Sequence, residues 1–354
     1  MTTNHCYRYA DARARFLSLA GKAEVLTHVH PLAGPDGQIA MDIAMFGDPK
    51  ASRALVLSSG THGVEGYCGS FIQCQLMAEE WHKNLPKDLM LVLIHGVNPY
   101  GFAWRRRVNE DNIDLNRNFI DHDNHPLNEG YDEIASLLEP EEWSDESMNG
   151  IWAGIRQIAS THEDNPNWQA AAISSGQYKY PNGQFYGGEA ASWSNQKLRL
   201  FADEYLTDRA VAWLDIHTAL GPYATAECIV EYQPGSPPLE AAQALWGDRV
   251  RNTKTNDSHS PDIAGSISYG LHQHLGNDLV IAGLEYGTVK SRQVVEALLA
   301  DQWLHRHGNP SGDEAEAIKQ LMMDAFYPDD PEWRSAVYQI ATELVAPMLR
   351  PGSL

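Results

Sequence analysis

No stretch of this 354-residue sequence approaches the run of about 18 apolar residues that would cross a bilayer. Its opening, MTTNHCYRYADARARF, also lacks the basic start and apolar core of a secretion signal. Cysteine is scarce: Cys6, Cys68, Cys74 and Cys228 have neither the paired spacing of a zinc ribbon nor the density of a disulfide scaffold. They are expected to be reduced thiols, and the chain a cytoplasmic protein. Basic residues are few, 26 Lys and Arg against 47 Asp and Glu, for a net charge of −21. That balance excludes a sequence-independent grip on phosphate backbones, so neither nucleic acid nor a membrane is an expected partner. The acidity itself implies solubility. A homo-oligomer stays compatible with everything the sequence contains.

Repeats and low-complexity linkers are also missing, which points to one domain over residues 1–354. With 43% hydrophobic residues the chain can bury a sizeable core. Short runs rich in Val, Ile and Leu predict buried strands at Ala54 to Ser58, Leu89 to Ile94, Val211 to Ile216, Glu227 to Tyr232 and Leu279 to Leu284. Helix-like stretches fall at Ser70 to His82, Lys197 to Glu204, Pro238 to Arg251, Ser291 to His305 and Pro331 to Leu349. This alternation predicts an α/β fold, a mixed and mostly parallel sheet flanked by helices on both faces. Ligands are then expected beyond the carboxyl ends of the strands. Two segments read as insertions. Asn124 to Asn149 is acidic, with a surface helix expected around Ile134, Leu137 and Leu138. Ser174 to Asn195 carries PNG and YGG turn signals and is either a surface loop or a wall over the site.

The residues with chemical potential sit at those strand ends. SSGTHGVEGYCGS places His62 and Glu65 three apart in a turn flanked by Gly60, Gly63 and Gly66, small residues that would leave room for an ion. LDIHTALG puts His217 after an apolar strand. Two histidines and a glutamate form an established catalytic zinc set with a fourth position left for water. LIHGVNPYGFAWRRRVNEDNIDLNRNF supplies Arg105, Arg106 and Arg107, then Asp114, Asn116, Arg117 and Asn118, residue types suited to carboxylate recognition or oxyanion stabilisation. VIAGLEYGT ends a buried strand on Glu285, which is costly unless a cleft or a metal is near, as it would be for a general base. Taken singly, His62 with Glu65, and His217, read more readily as structural residues, and the arginines read as readily as a basic patch. DHDNHP adds Asp121, His122, Asp123 and His125, which form either a solvated turn or a second ion site.

The order of these motifs resembles the zinc carboxypeptidase superfamily, which includes the desuccinylase and aspartoacylase branch. THGVEG resembles its HxxE zinc motif, NPYG followed by DLNRNF its NPDG and DxNRNF signature, LDIH the strand bearing the third ligand, and LEYGT the strand bearing the catalytic glutamate. The resemblance spans Ala54 to Thr288, and the HGVEG and HGVNPYGF wording is similar to a bacterial branch of that superfamily. It implies one Zn²⁺ held by His62, Glu65 and His217, with Asp114 orienting His62 and Glu285 as general base. Asn116 and Arg117 would grip the substrate carboxylate, and Arg107, with Arg106 as its rival, would polarise the scissile carbonyl. The implied activity is hydrolysis of an amide bond next to a free carboxylate, in a small peptide or an N-acylated amino acid. Deacylation or ester cleavage of a small metabolite, and metal-dependent regulation without catalysis, are the alternatives. One departure stands out: HSPDIAGS has no counterpart to the mobile tyrosine of peptide-cleaving members, and Tyr269 is the nearest candidate.

Overall fold

The computed structural model describes residues 7–255, 257–350 and 352. Cys6 and the five residues before it therefore lie outside the described residues. Eight strands form one sheet: β1 (Glu24–Gly34), β2 (Gly37–Phe46), β3 (Arg53–Ser59), β4 (Leu89–His95), β5 (Ala210–Ala219), β6 (Ala226–Val230), β7 (Val250–Asn252) and β8 (Leu279–Gly287). Their order across the sheet is β1-β2-β4-β3-β5-β8-β6-β7. The central strands β4, β3, β5 and β8 run parallel, whereas the pairings β1 to β2, β2 to β4 and β6 to β8 are antiparallel. The fold is the mixed, mostly parallel α/β arrangement expected from the sequence.

Burial on both faces explains why the central strands read as unbroken apolar runs. On one face, Ala54, Val56, Met90, Val92, Val211, Trp213, Leu279 and Ile281 pack with Leu198, Phe201, Ile267 and Leu271. Those partners come from the helices Trp193–Tyr205 and Ile267–Leu275. On the other face, Leu55, Leu57, Leu91, Leu93, Leu214, Ile216 and Leu284 pack with Phe16, Ile72, Leu76, Trp333 and Val337. They lie under the helices Tyr9–Ala20, Gly66–Ala78 and Pro331–Met348.

The hairpin of β1 and β2 was absent from the sequence reading, which placed no strand before Ala54. Its inner strand is interrupted by Asp42, fully buried and held by Arg13 at 2.6 Å and Thr27 at 2.7 Å. A charged residue in mid-run hides a buried strand when its partners lie elsewhere in the chain. The helix expected over Pro238 to Arg251 stops at Trp246, because Gly247 turns the chain at φ 58° and β7 begins at Val250. The acidic segment also differs from expectation. Its helix ends at Ile134, spanning Glu129–Ile134, while Ile134 and Leu138 are fully buried against the core as the apolar stripe of a surface helix would be.

Arg106 is buried away from the strand ends. Its Nε donates to Asp301 at 2.8 Å, and Lys319 Nζ binds the other oxygen of the same carboxylate. Burial opposes the charge on Asp301, yet Lys319 and Arg106 hold its carboxyl well below the ordinary range. The three residues are at most 5% exposed. Asp301→Ala would leave two buried cations without a carboxylate, so the variant should lose about 3–5 kcal/mol of stability, read by urea denaturation at pH 7. Because the folded-state pKa is depressed, this contribution should be present above about pH 4 and lost as the pH falls further.

Candidate metal centre and substrate cavity

Parallel strands end on the same edge of a sheet, and that edge gathers the predicted ligands. β3 ends at Ser59, and the chain turns through Gly60 at φ 74° into a short 3₁₀ turn carrying Glu65. Gly63 is required by close packing rather than by space for an ion, contrary to the expectation above: a Cβ there would lie 2.0 Å from the Gly101 carbonyl carbon. His217 belongs to β5 and stands directly beside Glu285 of β8 in parallel register.

His62 Nδ1 lies 2.9 Å from Glu65 Oε1, His217 Nδ1 lies 3.1 Å from Glu65 Oε2, and the two Nδ1 atoms are 3.2 Å apart. Each ring is gripped from behind by a carboxylate. His62 Nε2 meets Asp114 at 3.1 Å, and His217 Nε2 meets Asp215 at 2.7 Å. Those carboxylates select the tautomer with the proton on Nε2 and leave both Nδ1 lone pairs aimed at one point. Two lone pairs and a carboxylate facing each other repel unless a cation sits among them. The donor set therefore fits a divalent ion bound by His62, Glu65 and His217, with a further position open. Among the described residues this is the only group of three such ligands within 4.8 Å. The second ion site considered at Asp121, His122, Asp123 and His125 is not assembled. His122 pairs with Asn118 at 3.2 Å, His125 stacks on Tyr178, and Asp121 caps a turn.

The charge on Glu65 is opposed most by burial, but His62 and His217 bring its pKa down to about 2. Burial likewise opposes charge on His217, and Asp215 outweighs it, with Glu65 assisting, to raise the imidazole well above its ordinary value. For Glu285 the balance is reversed: burial, and after it the Glu65 carboxylate, push it up to about 8 despite His217, the Leu220 N–H and Arg107. The Leu220 N–H donates to its Oε1 at 2.8 Å and holds it in place.

Asp215 was missed in the sequence, although the signal was present. In LDIH it precedes His217 by two residues, and positions two apart on a strand share a face. Ser58 and Thr61 donate to its other oxygen at 2.5 and 2.9 Å, which completes the clamp.

A cavity of about 330 Å³ opens over this centre. His62, His217, Glu285, Arg107, Asn116 and Arg117 line it. Arg107 donates through Nε to Asp114 at 3.0 Å and through Nη1 to Glu65 at 3.3 Å, which ties it to one ligand residue and to the carboxylate behind another. Arg117 donates to the carbonyls of Asn116 and Ser174, and its Nε is buried without a partner. Five N–H groups on one guanidinium leave donors to spare for an anion. Of the two rival arginines only Arg107 reaches the cavity. Tyr269 does not line it. It is 46% exposed on the first turn of its helix, while the preceding Ser268 faces in, since one helical step rotates a side chain by about 100°.

The walls come from segments with no recognisable motif. Trp152 and Ile173 from the helices Asp145–Ala159 and Trp168–Ser174, Phe185 from the PNG and YGG segment, and Val294 and Leu298 from Ser291–Arg306 give an apolar side. Phe185 is 7% exposed and its ring lies under both Arg107 and Arg117, so this part of residues 174–195 is a wall. His259 of HSPDIAGS reaches the rim, its Nδ1 held 2.9 Å from Glu227.

Removing either rear carboxylate while keeping its shape should loosen the centre. Asp215→Asn and Asp114→Asn are each expected to weaken zinc affinity about 10- to 100-fold, measured by competition with a chromophoric chelator. Unchanged affinity in both would show that the Nε2 contacts do not orient the ligands.

Among the described residues, no helix is long and apolar enough to cross a membrane, and Cys68, Cys74 and Cys228 are buried free thiols. No curated protein matches the chain. Several solved structures resemble it at low identity. Carboxypeptidase A from Helicoverpa armigera is 14% identical over 91% of this chain and 75% of its own, with a TM-score of 0.47. Bovine thrombin-activatable fibrinolysis inhibitor is 12% identical over 96% of this chain and 97% of its own, with a TM-score of 0.46. Succinylglutamate desuccinylase from Chromobacterium violaceum is 14% identical over 84% and 74%, with a TM-score of 0.39. Residues 5–340 match the family described as protein of unknown function (DUF2817), and the chain belongs to that family.

Proposed function

We propose that this chain is a zinc-dependent hydrolase that cleaves an amide bond next to a free carboxylate. One observation carries the reading: two imidazole nitrogens and a carboxylate converge on a point beside Glu285, at the floor of a cavity lined by Arg107, Asn116 and Arg117. A divalent ion at that point would polarise a carbonyl and acidify a water.

The remaining work falls to the protein. Glu285, its carboxyl pushed to about 8 by burial and Glu65, can exchange a proton near neutral pH, as a general base must. It takes a proton from the attacking water and delivers it to the leaving nitrogen. Arg107, fixed by Asp114 and Glu65, presents a positive charge to the oxygen on which negative charge develops. Arg117 and Asn116 hold the substrate carboxylate, so the scissile bond is presented in one orientation. The apolar wall of Trp152, Ile173, Val294 and Leu298 excludes water from the other side.

An N-acyl amino acid rather than a peptide is the second reading. It is favoured by the lack of any tyrosine among the described residues that line the cavity, whereas the resemblance ties peptide cleavage to a mobile tyrosine.

Elemental analysis of the purified protein, with activity removed by a chelator and restored by zinc, tests the reading. Metal without turnover of peptides, acyl amino acids or esters would leave a binding protein instead. Glu285→Gln should retain zinc and lose about 10²- to 10⁴-fold in kcat, and a rate within a few-fold of wild type would remove Glu285 from the reaction. Converting the substrate carboxylate to an amide should sharply raise KM. An unchanged KM would sink the role given to Arg117.

A further inference from the structure

The cavity has two unlike ends, and the reaction proposed above assigns a substrate group to only one of them. Asn116 and Arg117 occupy that end. Their turn is tied to the segment before the helix Ile267–Leu275: the Ile267 N–H donates to Asn116 Oδ1 at 2.9 Å, and the Phe119 N–H donates to the Gly265 carbonyl at 2.9 Å. The other end lies beside Arg107. Its neighbour Arg106 binds Asp301 of the helix Ser291–Arg306 at 2.8 Å, which brings that helix alongside the Arg107 turn. A substrate with its carboxylate on Arg117 and its scissile carbonyl at Arg107 sends its acyl group onward, away from Arg117 and toward this helix.

The chemistry of that second end is apolar. Ser291, Val294, Val295 and Leu298 recur at spacings of three and four, so one stripe of the helix faces the cavity. Trp152 is fixed beside the stripe, its Nε1 donating to Glu296 at 2.9 Å. Phe185 follows Gln184, whose side chain donates to the Leu298 carbonyl at 2.9 Å. Trp152, Phe185, Val294 and Leu298 all line the cavity, and each is at most 7% exposed. None of the four belongs to the motifs that carry the resemblance to zinc carboxypeptidases. Arg292 stands at the outer edge, its side chain 53% exposed, bonded to Glu296 at 2.8 Å and lying over the Trp152 ring. Walls of this kind favour buried methylenes and offer little to a charged or very short group.

We propose that this end is an acyl pocket, and that the substrate is an amino acid whose nitrogen carries a bulky apolar acyl group, a medium-length aliphatic chain or an aromatic acid. The assignment rests on the hydrolase reading for the bond that is cleaved. Water supplies a hydroxyl to the acyl carbon as the C–N bond breaks, and the proton carried by Glu285 goes to the nitrogen. The products are the apolar carboxylic acid and the free amino acid. An acetyl group would leave Trp152 and Leu298 without contact, and a succinyl group would place a second carboxylate among apolar side chains at a cost in desolvation.

The test assays zinc-loaded full-length protein with alanine bearing acetyl, butanoyl, hexanoyl or succinyl on its nitrogen. Calorimetry measures binding of the same compounds to zinc-loaded Glu285→Gln. Both kcat/KM and affinity should rise about 3- to 4-fold per methylene, or about 100-fold from acetyl to hexanoyl, with succinyl below butanoyl. Val294→Phe, its fold checked by circular dichroism and its zinc content matching wild type, should cut the hexanoyl to acetyl ratio about 10-fold or more by filling the pocket. Leu298→Ala, which removes contact surface rather than space, should lower the same ratio by a smaller factor. A wild-type ratio near one, a preference for succinyl over butanoyl, or folded variants that keep the wild-type ratio would overturn the assignment. Turnover that ignores chain length defeats the pocket and leaves the hydrolase reading standing. Binding that rises with chain length, without turnover of any of the four compounds by wild type, upholds the pocket and defeats the hydrolase reading.

Discussion

The structure around the site is governed by an excess of buried negative charge. Asp114, Asp215, Glu65 and Glu285 are each at most 8% exposed and surround two imidazole rings, with Arg107 as the fixed cation bonded to Asp114 and Glu65. Among the protein's own groups, protons on His217 and on Glu285 relieve this arrangement. A dication satisfies it directly. The same imbalance that favours a cation between the imidazoles raises the Glu285 carboxyl, so the two features have one electrostatic origin.

The sheet makes that concentration of charge sustainable. β3, β5 and β8 run in the same direction, and their hydrogen-bonded ladders hold Ser58 beside Asp215 and His217 beside Glu285. Loop flexibility cannot relax the repulsion, because the two clamping aspartates are themselves anchored. Ser58 and Thr61 hold Asp215, while Asp114 accepts from Arg107 and from the Asn116 backbone N–H. The cavity above the centre is built differently. Its apolar wall is assembled from helices between residues 145 and 174 and from Ser291–Arg306, elements that touch no ligand residue by sequence proximity.

Much of the centre was legible because its signals are local. An apolar run that ends in Gly-Thr-His or in Asp-Ile-His announces a strand end with a candidate ligand on it, and the order of these motifs along the chain supplied the rest. The β1 and β2 hairpin was not legible, since the partners that make Asp42 tolerable within a buried strand, Arg13 and Thr27, lie 29 and 15 residues away. The three consecutive arginines posed the same difficulty. Arg105 pairs with Glu316, Arg106 with Asp301 and Arg107 with Asp114, and two of those three partners are about two hundred residues downstream.

The amino-acid sequence determined the strands that carry the site, the donor residues and the edge at which they meet, because strand polarity and side-chain alternation follow from short-range backbone geometry. Tertiary structure alone decided which arginine faces the cavity and that Asp215 stands behind His217 as Asp114 stands behind His62. It also decided that Glu231 and His259 reach the cavity while Tyr269 does not. Those outcomes depend on how distant segments pack and on one-residue differences in direction along a helix or turn, for which a linear pattern carries no vector.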